Sequence, residues 1–121
     1  MVTKRQRLGA WGEALALSFL LKKGDQLLAR NVRTRFGELD LVTRRGNTTV
    51  FTEVKTRRSG SYGPPETGIT ASKQQHLIES ALAYLGAHPE HDADWQIDVI
   101  AIRSASGLRP EIVLFENAVT G

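Results

Sequence analysis

Glu38, Asp40, Glu53 and Lys55 flank a turn signal, Gly46-Asn47, that joins two β-prone runs, 37–43 and 49–56. Gly-Asn between such runs marks a two-residue hairpin. With the turn there, paired residues have numbers that sum to 93, which sets Asp40 across from Glu53 and Glu38 across from Lys55. A period of two puts these four side chains on one face and Leu39, Leu41 and Val54 on the other. Directly opposed Cβ atoms stand about 4.5–5.5 Å apart, close enough for two carboxylates to share an ion and, without one, to repel. Mg²⁺ suits that position, because it takes one or two carboxylates and completes its octahedron with water and phosphate oxygens. Held by Asp40 and Glu53, it would polarise a water and neutralise phosphate charge. Lys55 would position that water and stabilise the developing negative charge. This set suits phosphodiester hydrolysis. The competing account is a solvent-facing sheet surface in which Glu38–Lys55 and a carboxylate–arginine contact are ordinary ion pairs.

The elements that must position these residues follow from periodicity. Residues 4–23 have helical spacing, with Leu8, Trp11, Leu15 and Phe19 on one stripe and Trp11 therefore in the core. Glu13 lies off that stripe, with Ala16, Leu17 and Leu20 beside it one turn on; it is either a partly enclosed carboxylate or the partner of Arg5 or an arm arginine. Residues 26–36 read as a strand or extended arm. Gly60, Gly63, Pro64, Pro65 and Gly68 make 59–68 a loop, in which Tyr62 could stack on a base. A second helix follows, capped by Thr70 or by Ser72 with Gln75, with Leu77, Ile78, Ala81, Leu82 and Leu85 inward and Gly86 ending it. Strands at 95–102 and 111–115 flank a turn-rich 104–110. The order α-β-β-β-α-β-β predicts an α/β fold with helices packed on a mixed sheet, and nothing marks a second domain within 1–121. His76, His88 and His91 show no metal-ligand spacing among themselves; His88 and His91 flank Pro89 in a loop, where surface residence is the simpler account.

The chain has 121 residues, 16 Lys plus Arg, 13 Asp plus Glu, net charge +3 and no cysteine. Disulfide, redox CxxC and thiolate–zinc chemistry are thereby excluded. No apolar run approaches the roughly 18–20 residues of a membrane span. The basic stretch 1–7 leads into Gly9, Gly12 and Glu13 rather than an apolar run with a cleavage site, so the expected location is cytoplasmic and without a membrane partner. The charge is uneven: residues 1–60 carry +8 and residues 61–121 carry −5. Arg33, Arg35, Arg44, Arg45, Arg57 and Arg58 fall near the two ends of the hairpin, and Arg35 would oppose Arg58. A phosphate backbone would relieve that repulsion, which makes nucleic acid the expected partner, read through its backbone. Lys73, in the first turn of the second helix, is unfavourably placed for the helix dipole; it contacts phosphate or is simply solvated.

Gly37-Glu38-Leu39-Asp40-Leu41-Val42 followed by Phe51-Thr52-Glu53-Val54-Lys55-Thr56-Arg57 resembles the Asp…Glu-x-Lys core of the restriction-endonuclease-like nuclease superfamily. More narrowly it resembles the small bacterial YraN family, itself similar to archaeal Holliday-junction resolvases. Gly12-Glu13 with Ala16, Ala29-Arg30-Asn31, Lys73, Asp98-Val99-Ile100-Ala101 and Glu116-Asn117-Ala118 extend the likeness over most of the chain. The resemblance implies a restriction-endonuclease-like core and a Mg²⁺ or Mn²⁺ site. In it Asp40 and Glu53 are metal ligands, Lys55 is the base, and Glu13 reaches the site from the first helix, directly or through water. It also implies cleavage of DNA rather than RNA, branched or otherwise structured, by a homodimer, since two strands need two sites. The alternative is a nucleic-acid-binding module that keeps the nuclease fold without turnover.

Overall fold

Thr3 starts the first helix with a reciprocal cap. Its hydroxyl accepts from the Gln6 N–H and the Gln6 side chain accepts from the Thr3 N–H. The computed structural model describes residues 1–58, 69–91, 94–104 and 109–120. In chain order the elements are α1 (Lys4–Lys22), β1 (Gln26–Thr34), β2 (Gly37–Arg45), β3 (Thr48–Arg58), α2 (Ala71–Ala87), a 3-10 turn (Pro89–His91), β4 (Asp94–Ser104) and β5 (Glu111–Val119). The α-β-β-β-α-β-β order is as expected. The loop at 59–68 with Tyr62, and residues 105–108 of the expected turn, lie outside the described residues.

The five strands form one mixed sheet in the order β1-β2-β3-β4-β5. β3 and β4 are parallel, as a helical crossover requires, and the other neighbours are antiparallel. This architecture is compatible with a restriction-endonuclease-like fold. The helices cover opposite faces. Leu77, Ala81, Tyr84 and Leu85 of α2 pack on Leu39, Val42, Phe51, Ile97 and Val119. Ala16 and Leu20 of α1 pack on Leu41, Ile100 and Ile102. Each fully buried Leu or Ile contributes about 1.5–3 kcal/mol relative to leaving it in water. Among the described residues, no helix is long and apolar enough to cross a membrane.

Two helix stripes differ from expectation. On α1 the buried residues are Gly12, Ala16 and Leu20, whereas Trp11 is 38% exposed. The reason is a close approach: a methyl group added at Gly12 would overlap Thr56 Oγ1 of β3. Small residues must therefore face the sheet, and the bulky ones rotate to the flanks. On α2, Tyr84 is buried and Leu82 exposed. Its N-cap is Thr70, whose hydroxyl accepts from the Lys73 N–H, rather than Ser72, and the helix runs one residue beyond Gly86. Gly12→Ala is expected to cost about 1–3 kcal/mol by overpacking, read as a lower urea midpoint with an unchanged m-value. An unchanged midpoint would mean that α1 is free to move off β3.

Candidate active site

The hairpin register is the expected one from Arg45↔Thr48 to Leu41↔Thr52, and there the pairing of β2 with β3 ends. At the next step Asp40 Oδ2, not a backbone carbonyl, accepts the Val54 N–H at 2.9 Å. Beyond this point β3 continues on β4 as far as Arg58↔Ser104, while β2 continues on β1. Opposite the fork, β1 carries Asn31 between the pairs Arg30↔Leu41 and Val32↔Leu39, with a left-handed φ of 51°. Asparagine tolerates that conformation better than most residues. Alternation along β2 breaks at the same place. Leu39 packs under α2 and Leu41 under α1, rather than both on one face as strict alternation predicts. The fork also removes two expected oppositions. Glu38 does not meet Lys55; it lies 3.7 Å from Arg33 of β1. Arg35 does not oppose Arg58, because β2 has left β3 before that step.

Asp40 and Glu53 therefore meet at the fork, with their carboxyl groups hydrogen-bonded to each other. Glu53 is only 7% exposed. Burial first, and then the charge of Asp40, push its carboxyl up to about 7, against the pull of Lys73 and Lys55. Burial also raises Asp40, although the Val54 N–H and the hydrogen bond from Glu53 favour its ionised form. Burial and the mutual repulsion of the two carboxyls therefore favour holding a proton at this pair over ionising both. Glu13 approaches from α1. Its carboxyl is raised by burial and then by the like charges of Asp40 and Glu38, with Arg30 opposing. Lys73 Nζ lies 3.5 Å from Glu53 Oε2. Three elements, α1, β2 and β3, thereby converge carboxylates on one place, and α2 adds a cation.

The family model described as "Uncharacterised protein family UPF0102" matches residues 12–102, a span that holds Glu13, Asp40, Glu53, Lys55 and Lys73. The chain belongs to the UPF0102 family. A UPF0102 protein of Geobacter metallireducens is 43% identical over 118 residues, covering 98% of this chain and 96% of the relative. One from Nocardia farcinica is 44% identical over 114 residues, 92% of this chain and 87% of the relative. One from Syntrophomonas wolfei is 44% identical over 102 residues, 84% and 89%.

The remaining sequence-predicted residues of this UPF0102 protein divide into separate groups. Lys55 is half-buried two residues beyond Glu53 on β3, and among the described cations it is Lys73 that forms an ion pair with Glu53. Arg57 and Arg58 join Lys4, Arg5, Leu8 and Thr56 in an open groove of about 560 Å³ between the start of α1 and the end of β3. Arg33 and Arg35 line a second groove, between β1 and α2, and Arg35 lies over the Phe36 ring at 4.9 Å. Arg44 and Arg45 sit at the turn end of the hairpin, roughly 14–17 Å along the strand from Asp40.

Arg45 is held in an ion-pair network with three carboxylates. Its Nε and Nη2 donate to Asp25 at 2.9 and 3.0 Å, and its Nη1 donates to Asp98 and Glu116 at 2.9 Å. Asp25 also accepts from Thr43 Oγ1, and Asp98 from Gln96 Nε2 and the Asn117 N–H. Burial works against the guanidinium charge, but the bonds to Asp25 and Asp98 outweigh it and raise the group further above its ordinary range. The Asp98 and Glu116 motifs of the resemblance are thereby occupied in structural bonds. Sequence reasoning missed this network and missed Lys73 as the partner of Glu53. In both cases the partners are distant in the chain, so no local spacing announces them.

Proposed function

We propose that this chain is a cytoplasmic divalent-metal-dependent endonuclease that hydrolyses phosphodiester bonds in DNA, with branched or structured DNA as its substrate. The observation that carries the reading is the meeting of Asp40 and the buried Glu53 at the strand fork, with Glu13 approaching from α1. Three carboxylates raised by burial and mutual repulsion are costly together unless a cation compensates. An all-oxygen donor set selects a hard ion, Mg²⁺ or Mn²⁺, over a soft one. Asp40 and Glu53 would hold it, and Glu13 would complete the set directly or through water. Such an ion supplies Lewis acidity toward a phosphoryl oxygen and lowers the pKa of a bound water.

The protein's own groups divide the remaining work. The Val54 N–H holds Asp40 in place through Oδ2. Lys73 pairs with Glu53 in the free protein and would turn to a phosphate oxygen once Glu53 is otherwise engaged. Lys55 orients the attacking water or stabilises the developing negative charge. The groove of Lys4, Arg5, Arg57 and Arg58 supports backbone recognition. Lys4 and Arg5 stand in the first turn of α1, which carries no acidic residue, so they add charge to the positive end of the helix and a phosphate would offset it. Resolution of a branched substrate needs two such sites, so the acting species would be a homodimer. The test is a panel of linear, flapped and four-way DNA, with RNA counterparts, incubated with Mn²⁺. Wild type is expected to cut and Glu53→Ala to be inactive. Salt-dependent binding without a cut in any substrate would replace this reading with that of a binding module.

A further inference from the structure

We propose that His88, Glu90 and His91 form a second metal site, separate from the carboxylate fork, for one divalent transition-metal ion of the Zn²⁺ type. The backbone that carries them is held at several points. His88 caps α2, its N–H donating to the Tyr84 carbonyl at 2.9 Å. The 3-10 turn then folds back, with the His91 N–H donating to the His88 carbonyl at 2.8 Å. Thr49 Oγ1 of β3 donates to the His91 carbonyl at 2.7 Å and ties the turn to the sheet.

Three side chains that are only neighbours in sequence thereby become a ligand set. One ligand atom from each lies within 4.8 Å of the others, and His88 Nδ1 and Glu90 Oε2 are already 3.5 Å apart. An ion bound tetrahedrally at 2.0–2.1 Å needs ligand atoms about 3.3 Å from one another. The His88 and His91 rings lie nearly parallel at 5.6 Å, so binding would turn the partly exposed His88 and exposed Glu90 side chains toward His91. The surroundings suit a metal as well. Tyr84 OH lies 2.7 Å from His91 Nδ1; with His91 ligating through Nε2, that contact would be the outer bond that orients a ligating imidazole. The Tyr84 and His88 rings stack at 4.3 Å, which keeps the second imidazole beside the first. Two imidazoles and one carboxylate favour Zn²⁺, Co²⁺ or Ni²⁺ over Mg²⁺ and leave one position open for water or an exogenous donor. Lys73 and His88 stand fifteen residues apart along α2, roughly 22 Å, so the two sites are independent.

The experiment is a Co²⁺ titration of tag-free protein, followed by visible absorption, on wild type, His88→Ala, Glu90→Gln and Asp40→Ala, with thermal melts in parallel. Wild type and Asp40→Ala are expected to give a saturable 1:1 spectrum of a four- or five-coordinate ion. Zn²⁺ should displace it and millimolar Mg²⁺ should not, and Zn²⁺ should raise Tm. His88→Ala should lose at least about tenfold in affinity, as should Glu90→Gln, both at side chains exposed enough for the fold to survive. No saturable signal below about 1 mM would overturn the site. A signal that persists in His88→Ala and vanishes in Asp40→Ala would also overturn it by assigning the ion to the fork.

Discussion

Glu53→Gln is expected to make the metal-free protein more stable near neutral pH and, on the nuclease reading, to cut DNA slower by on the order of 10³-fold. The opposing effects come from the same carboxyl. In the folded chain burial and Asp40 raise Glu53 from 4.5 to about 7. Between those values the folded protein holds a proton that the unfolded chain has released, so stability is greatest below the unfolded value and falls as pH rises through the window. The span corresponds to about 3 kcal/mol at its upper limit. Asp40 and Glu13, also raised, act in the same direction. Glutamine copies the shape of the protonated acid and can donate to Asp40, yet it never ionises. Thermal melts from pH 4.5 to 8 should fall for wild type and fall less steeply for Glu53→Gln, with a gap on the order of 10 °C at the alkaline end. Mn²⁺ should reduce that gap by stabilising wild type, because it favours the ionised carboxylates. Parallel pH profiles for the two proteins would show that the fork does not hold the proton.

Arg45→Ala is expected to cost about 3–5 kcal/mol. The side chains of Asp25 and Asp98 are fully buried, and one guanidinium serves both. Its removal leaves two carboxylates in the interior with only neutral donors. Urea unfolding should read this directly. Arg45→Lys should recover only part of the loss, since a single ammonium lacks the fork that reaches Asp25 through two nitrogens and Asp98 through a third. Adding Asp98→Asn to Arg45→Ala should also restore part of it, because a neutral amide needs no counter-charge. If Arg45→Ala cost less than about 1 kcal/mol, the network would be as dispensable as a surface ion pair. The exposed Glu116 end contributes little to this effect.

Much of the fold was legible because it is written locally. The Gly46-Asn47 turn set the hairpin register correctly as far as Leu41↔Thr52, and that register alone put Asp40 against Glu53. Where local patterning failed, a distant contact had overruled it. Trp11 reads as core by helical spacing, but Thr56 requires Gly12 at the interface. Glu38 reads as the partner of Lys55, but the fork hands it to Arg33. Arg45 reads as one of six rim arginines, and only folding brings it to Asp25, Asp98 and Glu116, which lie 20, 53 and 71 residues away.

By itself the sequence determined the element order, the turn and the carboxylate pair. Each rests on backbone geometry or side-chain period within a few residues. The tertiary structure decided where β2 leaves β3, which lysine faces Glu53, which arginine is structural, and that His88, Glu90 and His91 converge. Those outcomes depend on which buried charges must find partners once the chain is packed, and that requirement arises only when segments far apart in sequence exclude the same water.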